Sequence, residues 1–313
     1  MSAIKTWQIG AVKVTRIAEG PDFPVDPSLL FPIDREAVLE HDWLQPSFAT
    51  AGGDLLMTIQ AFVLETAGRR VIVDTCIGND KRRHAPMWDN LQGPFLGDLA
   101  TAGYPPETID MVICTHLHVD HVGWNTRRVE GRWVPTFPNA RYLFGRVEWE
   151  HWCSELERQT RAGAGAETEA ARMMQTAALI EDSIRPVMDA GLHDFIETNH
   201  RLTAEVVLEP TPGHTPGHIS VRIDSRGERA VLTGDMIHHP LQCARPELGT
   251  HIDWNPERGH RTRLDFLRQF ADRPVLILGS HFVAPTAGYV RADGKHWRFS
   301  PDPPTAEPPT PAR

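Results

Sequence analysis

The order of short apolar runs and helical stretches along this chain predicts an α/β (α+β) protein, with two sheets packed together and helices outside. Three observations carry that expectation. Short strand-like runs recur in both halves, from "VKVTRI" to "VLILG". Helical segments follow several of these runs instead of being gathered at one end. At 313 residues, with 41% hydrophobic and 23% charged residues, the chain is long and apolar enough for one full-sized core.

Taken in order, "WQIGAVKVTRIAEG" reads as a hairpin, and "LLMTIQAFVLETAGRRVIVDTC" as two strands joined by Ala67 and Gly68. "FLGDLATAGY" is a short helix closed by glycine, and "MVICT", Met111 to Thr115, an apolar strand. "ARYLF" is another strand, with helix from about Glu148. An Ala-rich helix is expected from about Glu167 to Ile184, with Arg185-Pro186 kinking or ending it. The second half gives strands at "EVVLEP", "HISVRID" and "RAVLTGD", a helix near Pro256 to Phe270, and a strand at "PVLILGSH". No repeat of fixed period occurs. The tail "SPDPPTAEPPTPAR" holds six of the 26 prolines and is expected to be extended. Residues 1–299 are therefore read as a single domain and 300–313 as a Pro-rich tail.

The formal charge of -9 disfavours a nucleic-acid backbone as partner, because such binding depends on clustered Lys and Arg. The densest basic run, "KRRH" at Lys81 to His84, reads as a solvated loop. No segment approaches eighteen uninterrupted apolar residues, and "MSAIKTWQIG" lacks the apolar centre of a secretory signal. A cytoplasmic protein with no membrane partner is expected. Cys76, Cys114, Cys153 and Cys243 form no CxxC pair, which suits reduced thiols, and Cys114 reads as a core residue.

The chemistry gathers at strand ends. In "ICTHLHVDHVGWN", Ile113 to Asn125, His116 and His118 are two apart, so both rings project to one side of an extended segment. Asp120 and His121 follow where the backbone turns, and Gly123 permits a close approach. Any lone histidine here, such as His41, His151 or His200, is better read as a surface residue. HxHxDH after an apolar strand points instead to a divalent metal. Three later strand ends carry further ligand types: His214 in "TPGHTPGH", Asp235 in "VLTGD" and His281 in "VLILGSH". His218, which begins the next strand, reads as structural.

These residues resemble those of the metallo-β-lactamase-fold hydrolases. "THLHVDH", "GHTPGH", "TGD" and "GSH" match that family's successive metal motifs in order, and "VIVDTC" resembles its first motif, with Asp74 as the aspartate. The match runs from about Val71 to His281. It implies an αββα sandwich of two mixed sheets with outer helices and the metals at one edge. Carried over, His116, His118 and His214 would hold one metal, Asp120, His121 and His281 the other, and Asp235 would bridge them. Asp74 would support the ligand loop through hydrogen bonds, or would simply cap a strand end. Two divalent metals per chain are implied. Zinc is first choice for so His-rich a set, with Mn, Fe or Co compatible. The implied chemistry is attack by an activated bridging hydroxide, with Asp120 or Asp235 handling the proton.

Within the superfamily, penicillin-type β-lactamases generally lack an aspartate where Asp235 stands. Flavodiiron oxidoreductases usually have Glu in place of His118, and glyoxalase II thioesterases have a basic C-terminal region that this chain lacks. The length, the N-terminal hairpin, "GRWVPTFPNARYLF" and "GYVRADGKHWRF" resemble the branch of N-acyl-homoserine lactonases and methyl-parathion-hydrolase-like enzymes. A lactonase or carboxylic-ester hydrolase is expected, acting on a small molecule in a possible homodimer. Organophosphate triester hydrolysis is the alternative, and a non-catalytic metal-binding protein the reading from another class. Trp124 is expected either to line the pocket or to seal the loop as a core aromatic. His238 and His239 are expected in the pocket wall.

Overall fold

A computed structural model describes residues 4–162 and 176–304. The strands of the first half are β1 (Lys5–Ile9), β2 (Val12–Ala18), β3 (Phe23–Val25), β4 (Leu55–Met57), β5 (Gln60–Thr66), β6 (Arg69–Val73), β7 (Met111–Ile113), β8 (Thr126–Val129), β9 (Arg132–Pro135), β10 (Arg141–Gly145) and β11 (His193–Ile196). Those of the second half are β12 (Val206–Pro210), β13 (Ile219–Ser225), β14 (Glu228–Leu232), β15 (Val275–Leu278), β16 (Ala287–Asp293) and β17 (His296–Ser300).

They build two mixed sheets, in the orders β1-β2-β5-β6-β7-β10-β11 and β12-β13-β14-β15-β16-β17. Pairing is antiparallel from β1 to β6 and parallel from β6 to β11. In the second sheet only the neighbours β14 and β15 run parallel. Two-stranded ribbons, β3-β4 and β8-β9, lie outside both.

Period-two alternation separates three apolar layers. Phe62, Leu64, Val71, Val73 and Ile113 from the first sheet meet Val221, Ile223, Leu232 and Leu278 from the second. Their neighbours Ala61, Val63, Ile72 and Val112 face the other way, onto Phe95 and Leu99 of the helix Phe95–Thr101 and Trp152 of the helix Arg146–Ala162. Val231, Val275 and Ile277 likewise face Phe266, Leu267 and Phe270 of the helix Pro256–Phe270. The layering is helix, sheet, sheet, helix.

Several expectations needed adjustment. Strand β7 stops at Ile113, because Thr115 gives its backbone N–H to Asp74 Oδ1 at 2.7 Å instead of to a neighbouring strand. "LLM" forms a strand of its own, β4, paired with β3. The first half of the expected Ala-rich helix, residues 167–175, lies outside the described residues. From Thr176 the backbone is helical through a π turn at Ile180–Ile184, and it continues past Pro186 to Asp189. The proline sits in the first turn of that last stretch, where its missing N–H costs least, and the irregularity falls in the π turn before it.

The basic run is only half solvated: Arg82 and His84 are exposed, but Lys81 and Arg83 are not. Lys81 is fully buried, with Nζ 2.8 Å from Thr126 Oγ1 and 3.9 Å above the Trp133 ring, and Arg83 grips Asp182 with two hydrogen bonds of 2.7 and 3.0 Å. A buried cation needs a partner, and Asp182 in the π turn serves both residues. Ser300 ends β17, and the tail beyond 304 lies outside the described residues.

Candidate metal centre

Strands β7, β12, β14 and β15 end at one edge of the sandwich, and the loops that follow them bring all seven ligand-type residues to one place. His116, His118, His214 and Asp235 form one group whose donor atoms lie within 4.8 Å of one another, and Asp120, His121 and His281 form a second. Asp235 joins the two. Its Oδ2 is 3.7 Å from His116 Nε2, 3.6 Å from His214 Nε2 and 3.2 Å from His121 Nε2, and its Oδ1 is 3.1 Å from His281 Nε2.

Hydrogen bonds behind the rings set which nitrogen faces inward. His214 donates from Nδ1 to Asp253 Oδ1 at 2.8 Å, and His281 from Nδ1 to the Thr58 carbonyl at 3.0 Å. His214 therefore turns a bare Nε2 toward Asp235, while His281 Nε2 lies within hydrogen-bond reach of Asp235 Oδ2 at 3.3 Å. The Thr115 hydroxyl donates to Asp74 Oδ2 at 3.0 Å, which leaves Thr115 Oγ1 to accept from His116 Nδ1 at 3.1 Å. His116 Nε2 is thereby bare as well. His121 Nδ1 lies 2.9 Å from Asp74 Oδ2, as a charge contact rather than an aligned hydrogen bond.

Asp74 therefore supports two rings and the start of the loop. It does so from the left-handed region, with φ at 58°, which aspartate tolerates better than most residues. It is both the end of a strand and a brace for the cluster.

The electrostatics suit a cation. Burial, reinforced by the neighbouring imidazoles, holds His116 and His118 well below the ordinary histidine range, so both are neutral. His121 and His281 are raised, because Asp235 and nearby aspartates outweigh the penalty of burial. Burial pushes the Asp235 carboxyl up, but the surrounding His121, His281, His238 and His116 hold it well below the usual range.

His116 Nε2, His121 Nε2 and Asp235 Oδ1 are buried with no hydrogen-bond partner. His214 Nε2, with its proton on the other nitrogen, can act only as an acceptor toward His118 Nδ1, 2.8 Å away. Bare acceptors turned toward one another repel unless a cation lies among them. The residues fit divalent metal ions.

Backbone contacts hold the loops in register. Glu148, buried in the helix Arg146–Ala162, accepts from Leu117 N at 3.2 Å, Trp152 Nε1 at 2.8 Å and Gly217 N at 3.1 Å, tying the HxHxDH loop to the loop of His214. Gly123 lies so close to the Ile77 carbonyl that a Cβ there would sit 1.8 Å from its oxygen. His218 accepts from Asp235 N at 2.8 Å and pairs with Thr211 Oγ1 at 2.8 Å, so it braces the bridge without joining the cluster.

A model of the Metallo-beta-lactamase superfamily matches residues 56–281. The chain belongs to this superfamily. It is a metal-dependent hydrolase of that group, with the mixed-sheet fold its motifs predicted. An N-acyl homoserine lactonase from Bacillus sp is 25% identical to it over 207 residues, 62% of this chain and 69% of the relative. One from Bacillus thuringiensis is 24% identical over the same length and shares. Among solved structures, the hydrolase AbOPH is 27% identical with a TM-score of 0.78, covering 96% of this chain and 98% of its own. The dizinc quorum-quenching lactonase AidC, solved with a product, is 20% identical with a TM-score of 0.76, covering 96% and 97%, a likeness of fold.

The three residues expected in the pocket divide. His238 lies against the cluster without being one of its seven residues, with Nε2 3.2 Å from Asp235 Oδ2 and its ring stacked 5.8 Å from His281. His239 does not. Its Nε2 donates to the Phe48 carbonyl at 2.8 Å and its Nδ1 accepts from Leu241 N at 3.1 Å, so both nitrogens serve the backbone under the second sheet. Trp124 is buried, stacked on Phe95 at 5.6 Å, and its Nε1 donates to Glu19 at 2.7 Å, which is the sealing arrangement.

Three residues of this region escaped the motif reading. Glu19 follows the end of β2 and could have been found by the strand-end rule that picked out Asp235. Glu148 is an ordinary helix glutamate in the sequence, and Asp253 lies in a loop with no motif. Nothing in the sequence distinguished either. Among the described residues no helix is long and apolar enough to cross a membrane.

Proposed function

We propose that this hydrolase uses two divalent metals, zinc by donor preference, to open lactones or carboxylic esters. The observation that carries it is the convergence of seven ligand-type side chains in two groups joined at Asp235, with His116 Nε2, His121 Nε2 and Asp235 Oδ1 buried without a hydrogen-bond partner. His116, His118 and His214 would hold one ion, Asp120, His121 and His281 the other, and Asp235 both. Mn, Fe or Co would also accept this mixed N/O set. When bound, such a pair acidifies water and polarises a carbonyl oxygen.

The chain's own groups do the rest. Asp120 is the least buried member of the set, and its carboxylate would hold the proton taken from the attacking water. That proton is then available to the leaving alkoxide, which a lactone keeps tethered nearby. His238 can hold or release a proton at Nε2 beside Asp235. Asp74, Thr115, Asp253 and the Thr58 carbonyl orient imidazoles so that no ring turns during turnover.

The similarity to N-acyl homoserine lactonases supports a lactone substrate. An apolar chamber of about 310 Å³, whose wall includes Ile59, beside the Thr58 that braces His281, and Ile77, packed on Gly123, supports one with an apolar arm. The test is a turnover comparison of the metal-loaded protein on acyl-homoserine lactones, aryl esters, paraoxon-type triesters and β-lactams. We expect kcat/KM for a medium- or long-chain acyl lactone to exceed that for a methyl triester by about tenfold, or about 1.4 kcal/mol at the transition state. Equal or reversed values would favour triester hydrolysis instead.

A further inference from the structure

The chamber of about 310 Å³ is lined by Phe23, Ile59, Ile77, Met87, Trp88 and Leu91, with Glu19 the one ionisable side chain among the residues of its wall. Two of its wall residues are connected to the group of Asp120, His121 and His281 through the backbone. Ile59 follows Thr58, whose carbonyl accepts from His281, and Ile77 packs on Gly123, two residues beyond His121. One water's share of the liquid is roughly 30 Å³, so the chamber matches about ten waters, enough for a medium-length chain.

Glu19 is buried, and its carboxyl oxygens accept from three donors, Ile77 N and Gly78 N at 2.8 Å each and Trp124 Nε1 at 2.7 Å. Burial, partly offset by these donors, pushes its carboxyl up to about 7, and the Asp120 carboxylate adds to the rise. Among the described residues no cation of the chamber wall answers it. Lys81 and Arg83 of the same loop are turned to Asp182, and Arg82 to Asp89.

Resting on the hydrolase reading above, we propose that Glu19 makes this chamber the site of an uncharged apolar arm of the substrate and bars an arm ending in a carboxylate. An apolar chain gains from burial against the aromatic and aliphatic wall. A carboxylate in the same place would lose its water and face a like charge without a partner.

The test compares kcat/KM of the metal-loaded protein at pH 8.5 for phenyl octanoate and for the mono-phenyl ester of octanedioic acid, which differ by a terminal carboxylate. Wild type should prefer phenyl octanoate strongly. Glu19→Gln should narrow that preference about tenfold, and Glu19→Asp should keep it. Met87→Lys, at an exposed position of the wall, should narrow it by supplying a cation, and this carries the test should Glu19→Gln not fold. A preference unchanged within twofold in Glu19→Gln and Met87→Lys overturns the inference while leaving the hydrolase reading in place. Failure of wild type to turn over either ester or any acyl lactone sinks both.

Discussion

His238 and His239 are adjacent in the chain, yet the turn after Asp235 sends one ring against Asp235 and the other under the second sheet. Burial without a charge partner pushes His239 down to about 4. A histidine lowered in the folded state binds its proton more tightly when unfolded. Its contribution is complete above the ordinary value near 6.5 and is lost as pH falls toward about 4. In chelator-treated protein, so that metal release does not enter, urea unfolding at pH 7.5 and 4.5 should show wild type losing roughly 2 kcal/mol more than His239→Gln. An equal loss in the two proteins would mean that the ring is not buried as described. At pH 7.5 the loaded variant should keep kcat/KM within a few-fold, whereas a residue of the pocket wall would not allow that.

At the scale of elements, the centre depends on two loops kept in register by one helix. Glu148 receives N–H groups from both loops, and Gly217 fits only because it has no Cβ; one placed there would lie 2.5 Å from Glu148 N and 2.8 Å from its Cα. Both are backbone atoms of a packed helix, so neither can move aside cheaply. Gly217→Ala should therefore displace the His214 loop and weaken metal binding by about tenfold or more, in keeping with the effect of losing groups that orient ligands. Metal analysis after dialysis against a competing chelator reads this directly. Full retention of metal, with an unchanged melting temperature, would show that the loop tolerates the shift. The helix itself was legible from its pattern, but that Glu148 would face inward was not, since its partners lie 31 and 69 residues away.

For the molecule as a whole, the three apolar layers and not the metals supply the main driving force for folding. Each fully buried Val, Leu, Ile or Phe contributes about 1.5–3 kcal/mol, and the layers hold dozens of such residues. Metal removal should then lower stability without unfolding the chain. Reconstitution with excess metal should give about two equivalents per chain. Chelation should lower the melting temperature by several degrees while far-ultraviolet circular dichroism stays native, because a ligand bound only by the folded state adds stability in proportion to its saturation. One equivalent at most, or loss of the native spectrum on chelation, would contradict this arrangement.

The two-sheet packing, most strands of the two sheets and the seven cluster residues were readable in the linear chain from local rules, whereas β11, β16, β17 and the order of strands within each sheet were not. Alternation of period two marks a buried strand face, and a ligand-type residue just past an apolar strand has few other reasons to be there. Wherever a side chain had two chemically acceptable destinations, only the tertiary structure decided. Trp124 could line or seal, Lys81 could be solvated or buried, and His239 could face substrate or backbone. The choice depended on Glu19, Asp182 and Phe48, partners 105, 101 and 191 residues distant. A buried polar group takes whichever partner the packed fold brings within reach, and no local pattern in the sequence encodes that distance.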